Sequence, residues 1–287
     1  MALLKILLCL DTDAQPSVFD AVVAVDAGVD QLLRHGGVRS DEVRGLVYGA
    51  MFTRGPADLK NTAVFIGGTD VAAGETLLAK ARECFFGPIR VSLMLDSNGA
   101  NTTAAAAVLC AGKYVPLRGV TAAVLAATGS VGRRVVRLLA REGAVVRVAS
   151  RRLDRAKQTC DEVHAVVPDA KLEPAQINDD DSLRAVLNNA ELVIAAGAPG
   201  VELLSERFRR QARDLKVAID LNAVPPTGLG GVEPTDKAVE RDGQICFGAI
   251  GIGGAKMKLH KAALCRLFEA NDLVLDAEEI YELGKAI

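Results

Sequence analysis

The stretch Ala123-Ala-Val-Leu-Ala-Ala-Thr-Gly-Ser-Val-Gly132 constrains the fold of this chain more than any other. An apolar run enters a glycine turn, a helix-like segment follows over residues 133–142, and a second apolar run over 144–149 ends at Ser150-Arg151-Arg152. A strand that ends in such a turn and opens a helix aims free backbone N–H groups, and the positive helix end, at a pyrophosphate. Thr128, Gly129, Ser130, Val131 and Gly132 make up the turn, and Gly129 and Gly132 let the backbone approach and pack closely. Ala127 replaces the first glycine of the G-x-G-x-x-G pattern, but the second strand arrives at the expected distance. The segment therefore predicts a dinucleotide-binding βαβ unit.

The residues at the end of that second strand discriminate between dinucleotides. A site that prefers NAD carries a carboxylate there to bind the ribose hydroxyls. Here Ser150, Arg151 and Arg152 stand in its place. Guanidinium groups match a 2′-phosphate in charge and in fork geometry, so NADP is the expected cofactor and NAD the weaker alternative. The plainer alternative, a tight turn followed by two solvated arginines, is outweighed by motif and context together.

With 287 residues the chain can bury a sizeable core and is long enough for two domains. Its 34 basic residues are scattered and balanced by 36 acidic ones, which leaves no electrostatic footprint for nucleic acid. The apolar start lacks a small-residue cleavage site, and no apolar run approaches the roughly 20 residues that span a bilayer. A soluble cytoplasmic protein with no membrane partner is expected. Cys9, Cys84, Cys110, Cys160, Cys246 and Cys265 are widely spaced and form no C-x-x-C pair, so buried free thiols are expected. His35, His164 and His260 lie far apart, and no metal site is expected.

Short apolar runs followed by helix-period segments also precede the glycine turn. Strands are predicted over residues 3–10, 62–66 and 90–95, and helices over 16–33, 71–85 and 101–110, the last capped by Asn101 or Thr102. Three strand-to-helix units in a row imply a parallel sheet whose strand-to-helix loops share one edge, where ligands bind. Those loops are unusually polar: Asp11, Thr12, Asp13 and Gln15; Thr69 and Asp70; Asp96, Ser97, Asn98, Asn101, Thr102 and Thr103. Any one such loop is ordinary turn and cap chemistry, but three that converge indicate a site.

The segment 113–119, with Pro116 and Gly119, marks the best boundary. Beyond it, strands are predicted over 121–126, 144–149, 172–176, 192–196 and 216–221, with helices between them. The Asp179-Asp-Asp181 run reads as a helix start. Ala196 with the loop Gly197 to Gly200, and the loop that opens at Asn222, share the edge of the glycine turn and border the ribose and nicotinamide. Ile250 and Gly253 lie in the glycine-dense stretch 247–254, where a nicotinamide ring could approach the backbone. The expected architecture is α/β in two domains facing each other across a cleft. A parallel α/β substrate domain spans 1–115, a Rossmann-type domain spans 116–271, and a helix at 272–287 packs back on the first.

The chain resembles the bacterial NAD(P)-dependent methylene-tetrahydromethanopterin dehydrogenases, some of which also act on methylene-tetrahydrofolate. The resemblance covers nearly the whole chain and is carried by Asp11-Thr-Asp-Ala-Gln-Pro-Ser-Val-Phe-Asp20, Phe85-Phe-Gly-Pro88 and Met94-Leu-Asp-Ser-Asn-Gly-Ala-Asn-Thr-Thr-Ala104. It extends through Thr128 to Gly132, Phe247 to Gly254, Lys256-Met-Lys-Leu-His260 and Asp276-Ala-Glu-Glu-Ile-Tyr281. Ala127 and Ser130 depart from the Gly and Pro usual in the turn. Arg151 matches a family arginine and Arg152 a basic position.

The resemblance implies oxidation of a methylene carbon bridging two pterin nitrogens to the methenyl cation, with hydride transfer to the nicotinamide, in a homo-oligomer. A substrate nitrogen lone pair drives such a step, so the protein's task is to place two rings face to face, and no nucleophile is required. Asp13, Asp20 and Asp96 are expected to stabilise the developing cation, and Gln15, Ser97, Asn98, Asn101 and Thr102 to orient the pterin. Lys256 matches a family lysine and is expected to hydrogen-bond the pterin carbonyl or an adjacent carboxylate; alternatively it joins Lys258 and Lys261 on a solvated helix face. His260 reads as a packed helix residue. The competing functions are a dehydrogenase of another small substrate, such as a shikimate-type enzyme, and a non-catalytic NADP sensor.

Overall fold

A computed structural model describes residues 3–287. The chain divides into two compact units, one running to Thr102 and resuming over Met257–Ile287, the other Thr103–Lys256. The sequence boundaries, at 115/116 and 271/272, fall outside the helices; the division by contact passes through two of them, Ala100–Gly112 and Gly253–Arg266.

In the first unit the chain runs β1 (Ile6–Asp11), α1 (Val18–Asp26), β2 (Gln31–His35), α2 (Val43–Met51), β3 (Thr62–Gly67), α3 (Val71–Arg82), β4 (Ser92–Leu95) and α4 (Ala100–Gly112). All strand pairs in its sheet are parallel, in the order β12-β4-β3-β1-β2, where β12 is Val274–Leu275 from the C-terminal segment. Continuous apolar strands such as Ile-Leu-Leu-Cys-Leu suit the centre of a parallel sheet covered on both faces, and β3 and β4 are buried throughout. The chain leaves β1 toward β2 on one side and returns to β3 on the other. That reversal is a topological switch point, and the loops after β1 and β3 flank it.

The predicted helix over 16–33 is a shorter helix and a strand. Helix α1 stops at Asp26, Gly28 takes the left-handed backbone (φ 81), and residues 31–35 pair with β1 from Ile6↔Gln31 onward. Leu32 and Leu33 continue the apolar spacing of the valines in α1, so helical period and edge strand are indistinguishable there.

The second unit continues with β5 (Thr121–Leu125), α5 (Ser130–Arg141), β6 (Val145–Ser150), α6 (Leu153–His164), β7 (Lys171–Gln176), α7 (Asp180–Leu187), β8 (Leu192–Ala195), α8 (Glu206–Gln211), β9 (Val217–Asp220), β10 (Lys237–Arg241) and β11 (Gln244–Phe247). Its order is β10-β11-β9-β8-β5-β6-β7, parallel except for the β10–β11 hairpin. This is a doubly wound dinucleotide-binding sheet with its switch between β5 and β8, extended by one antiparallel edge strand. Asp179 starts α7 through a capping box with Ser182. Helix α9 (Gly253–Arg266) leads back to the first unit, where α10 (Ala277–Lys285) closes the chain under its own capping box from Asp276.

No helix among the described residues is long and apolar enough to cross a membrane. Five cysteines are buried free thiols, and burial pushes the Cys9 thiol up to about 12. Cys265 departs from the expectation of burial: it is exposed and donates its S–H to the Ala27 carbonyl.

Candidate functional site

At the switch point of the first unit, Asp11 closes β1 and folds the loop that follows. One carboxylate oxygen accepts the Asp13 N–H at 2.8 Å and the other the Ser17 N–H at 2.9 Å. Asp13 then spans the switch, accepting the Thr69 N–H at 3.0 Å and the Thr69 hydroxyl at 2.8 Å. Ser17 caps α1 by accepting the Asp20 N–H, which places Asp20 in the first turn. Burial raises the Asp20 carboxyl above its ordinary range; His260 and the Ser17 hydroxyl oppose that shift, and Asp96 and Asp11 add to it. His260, on α9, is buried, stacks on Phe65 at 5.7 Å between ring centroids and tilts against Phe19 at 6.3 Å. This packing agrees with its sequence reading.

Asp96 initiates α4, a role that the sequence assigned to Asn101 or Thr102. Its Oδ1 accepts the N–H groups of Asn101 and Thr102 at 3.0 Å each, and its Oδ2 accepts the Thr102 hydroxyl at 2.7 Å. Thr102 lies six positions after Asp96, longer than an ordinary N-cap spacing, because a 3-10 turn over Ser97–Gly99 intervenes with Asn98 left-handed at φ 53. Ser97 donates to the Gly67 carbonyl and Asn101 to Asp276, so the loop after β4 is fastened to β3 and to the start of α10. Asp96, Ser97, Asn101 and Thr102 are all at most 2% exposed. Among the polar residues singled out in this unit, those with surface available to a ligand are Thr12, Asp13, Gln15, Asp20, Thr69, Asp70 and Asn98.

In the second unit the glycine turn adopts the geometry its spacing predicts. A Cβ on Gly132 would lie 2.8 Å from the Ala126 carbonyl oxygen and from Ala127 backbone atoms, so only glycine fits where α5 packs against the end of β5. The substitution at Ala127 is accommodated. Ala127 is fully buried and hydrogen-bonded to the Ala149 carbonyl, and the left-handed residue is its neighbour Ala126, at φ 54. Thr128, Ser130 and Val131 are partly exposed and Gly129 is exposed, extended at φ −76, ψ 170 immediately before α5.

A cavity of about 240 Å³ opens beside this turn. Leu125, Ile177 and Leu203 supply apolar wall, and Ser150, Arg151, Arg152 and Arg155 supply the polar part. Apolar walls with arginines suit a purine and a phosphate, so the residues present fit a nicotinamide dinucleotide.

The loops after β8 and β9 complete this edge. Ala196 donates its N–H to Leu125, and a Cβ on Gly197 would meet Leu203 at 2.8 Å. Asn222 is buried and built into its loop, with its amide donating to the Val224 and Pro226 carbonyls. Asp220 anchors the same loop through the Leu229 and Asn222 N–H groups, and burial raises its carboxyl despite those bonds. In the glycine-dense stretch the chain itself is what approaches: Cβ atoms on Gly248 and Gly251 would fall 2.0 and 1.7 Å from the Glu233 and Asp236 carbonyl oxygens. Ile250 and Gly253 remain open, Ile250 being 59% exposed and Gly253 having nothing within 4 Å of a built Cβ. Lys256 lies in the first turn of α9, half-buried, its ammonium forming no hydrogen bond or ion pair among the described residues.

Sequence reasoning missed Asp220 and Arg155. Arg155 had a readable signal, being one more cation three positions beyond Ser150-Arg151-Arg152.

Residues 18–98 match the family described as methylene-tetrahydromethanopterin dehydrogenase, N-terminal. Over 98% of both chains, the sequence is 46% identical to the bifunctional protein MdtA of Methylorubrum extorquens. It is 27% identical, over 94% of both chains, to the NAD(P)-dependent methylenetetrahydromethanopterin dehydrogenase of the same organism. Among solved structures, quinate dehydrogenase from Corynebacterium glutamicum in complex with NAD matches with a TM-score of 0.52 at 12% identity, covering 99% of each chain. The 5-ketofructose reductase of a Gluconobacter strain matches at 0.50 and 13%, covering 99% of this chain and 98% of the other. These two likenesses establish the α/β fold; the full-length relative establishes the family. The chain belongs to the methylene-tetrahydromethanopterin dehydrogenase family.

Proposed function

We propose that this protein is an NADP-dependent oxidoreductase that converts methylene-tetrahydromethanopterin to the methenyl form. The reading rests first on the full-length 46% identity to a member of that family. Ser150 and the arginines around the dinucleotide cavity, with no carboxylate in the position that binds ribose hydroxyls, favour NADP over NAD. The nicotinamide, when bound, supplies the hydride acceptor.

The substrate's C–H electron pair leaves as hydride while a ring nitrogen lone pair fills the vacated position, so no proton moves and no base is needed. The chain's own residues bind and orient. Asp13, Gln15, Asp20 and Asn98 face the pterin, with Asp20 and Asp13 answering the cationic charge. Asp96, Ser97, Asn101 and Thr102 position that loop. Thr128 to Gly132 receive the pyrophosphate, and Ser150, Arg151 and Arg152 border the 2′-phosphate. Ala196, Gly197, Asn222, Ile250 and Gly253 border the ribose and nicotinamide, and Lys256 hydrogen-bonds the pterin carbonyl. A homo-oligomer in the cytoplasm belongs to the same reading, and mass in solution and cell fractionation test it.

The alternative substrate within the same reading is methylene-tetrahydrofolate, which differs from methylene-tetrahydromethanopterin in its tail and ring substituents. The deciding experiment follows reduction of NADP and of NAD with each methylene pterin. Reduction of NADP by methylene-tetrahydromethanopterin is the expected result. Cofactor binding without reduction by either pterin would leave a sensor, and turnover of quinate or shikimate instead would replace the proposed substrate.

A further inference from the structure

We infer that Arg155 and Arg151 form the clamp that selects the 2′-phosphate, with Arg152 in a lesser role; the inference rests on the NADP reading above. All three arginines line the dinucleotide cavity, but their charges are not equally available. Arg152 is engaged by its neighbour: its Nε donates to Asp154 Oδ1 at 3.1 Å and its terminal nitrogen to Oδ2 at 2.5 Å. An anion approaching Arg152 meets a charge already answered and a carboxylate that repels it. Arg151 contributes only its backbone carbonyl to the fold, accepting from the Gln176 amide at 3.0 Å. Neither the Arg151 nor the Arg155 guanidinium forms a hydrogen bond or ion pair among the described residues.

The placement of Arg155 is locally unfavourable, since it sits in the first turn of α6, where a cation opposes the positive helix end. A phosphate dianion between Arg155 and Arg151 reverses that cost. The geometry also fits the rest of the ligand: Ile177 and Leu203 wall the cavity for the base, while the two uncommitted guanidinium groups receive the phosphate oxygens. The α6 arginine is therefore a specificity-determining residue distinct from the Ser150-Arg151-Arg152 run.

The test is equilibrium binding of NADP, NAD and 2′,5′-ADP to the wild-type protein and to R151A, R152A, R155A and R155K, read by calorimetry. The last probe carries the 2′-phosphate but no nicotinamide, and affinity for NAD reports that each variant is folded. R155A is expected to weaken NADP and 2′,5′-ADP by about tenfold or more, the scale of a charge-assisted hydrogen bond, and to leave NAD unchanged. R155K retains part of the affinity, and R152A loses less than R155A. If R155A binds 2′,5′-ADP within twofold of wild type, or if R152A loses as much, the clamp assignment is wrong. Loss of the NADP preference in R151A but not in R155A would remove Arg155 and leave the NADP reading standing. A wild-type protein with no preference for NADP overturns that reading itself.

Discussion

A lysine in the first turn of a helix opposes the helix dipole, as Lys256 does in α9, and without a partner it contributes nothing to the fold that would offset this. By contrast Lys261, one turn further on, is paired with Asp26 at 2.7 Å. Lys256→Ala should therefore leave stability unchanged or slightly higher. If the ammonium holds the pterin carbonyl, the variant should raise KM for the methylene pterin by about tenfold with the NADP dissociation constant unmoved. Unchanged KM and kcat would return Lys256 to the solvated face that it shares with Lys258. Asp20 poses the complementary case, a half-buried carboxylate whose proton affinity is raised chiefly by desolvation. Its folded value lies above the unfolded value of about 3.9, so folding binds protons and stability falls as pH rises through that interval. Asp20→Asn, which cannot ionise, should be at least as stable as wild type at pH 7, with the gap closing below about pH 4. A variant that is less stable at pH 7 than at pH 4, relative to wild type, would show that attraction from His260 outweighs burial.

The start of α4 depends on one side chain rather than on helix propensity. Asp96 accepts two backbone N–H groups and one hydroxyl, all buried, and its removal leaves the Thr102 hydroxyl and two amides without that acceptor. Asp96→Ala should cost about 3 kcal/mol, combining a lost cap with charge-assisted bonds, and a urea midpoint would read it. A loss under about 0.5 kcal/mol would mean that the 3-10 turn holds without it. Here the limits of sequence reading become physical. Aspartate, asparagine, serine and threonine at a strand-to-helix loop announce polar chemistry, but the same groups serve caps and ligands equally. The sequence therefore locates the loop and does not separate buried Asn101 from exposed Asn98. Central strands β1, β3 and β4 are legible because a continuous apolar run has one use in a parallel sheet. Edge strand β2 is not, since its leucines extend the spacing of α1. The β10–β11 hairpin carried a signal in Asp242-Gly243, both left-handed, that apolar spacing alone passes over.

At the scale of the whole chain the assignment of two ligands to two sheets follows from two switch points, one between β1 and β3 and the other between β5 and β8. Each lies within its own compact unit, so each ligand should leave its mark there when bound alone. Hydrogen exchange measures this directly, because backbone amides in ligand-bound loops open less often. NADP at 100 times its dissociation constant stabilises the form that binds it by about 2.7 kcal/mol. Protection is expected around residues 126–132 and 150–155, the turn and the arginines of the proposed cofactor site. Methylene-tetrahydromethanopterin without cofactor should instead protect 11–20, 67–70 and 96–102. NAD should protect the turn but less of 150–155, since it has no phosphate to occupy the arginines. Protection by NADP centred on 11–20 would reverse the assignment. Pterin protection confined to the second unit would remove the polar loops around Asp13 and Asn98 from the substrate site, while the family membership, which rests on the full length of the chain, would stand.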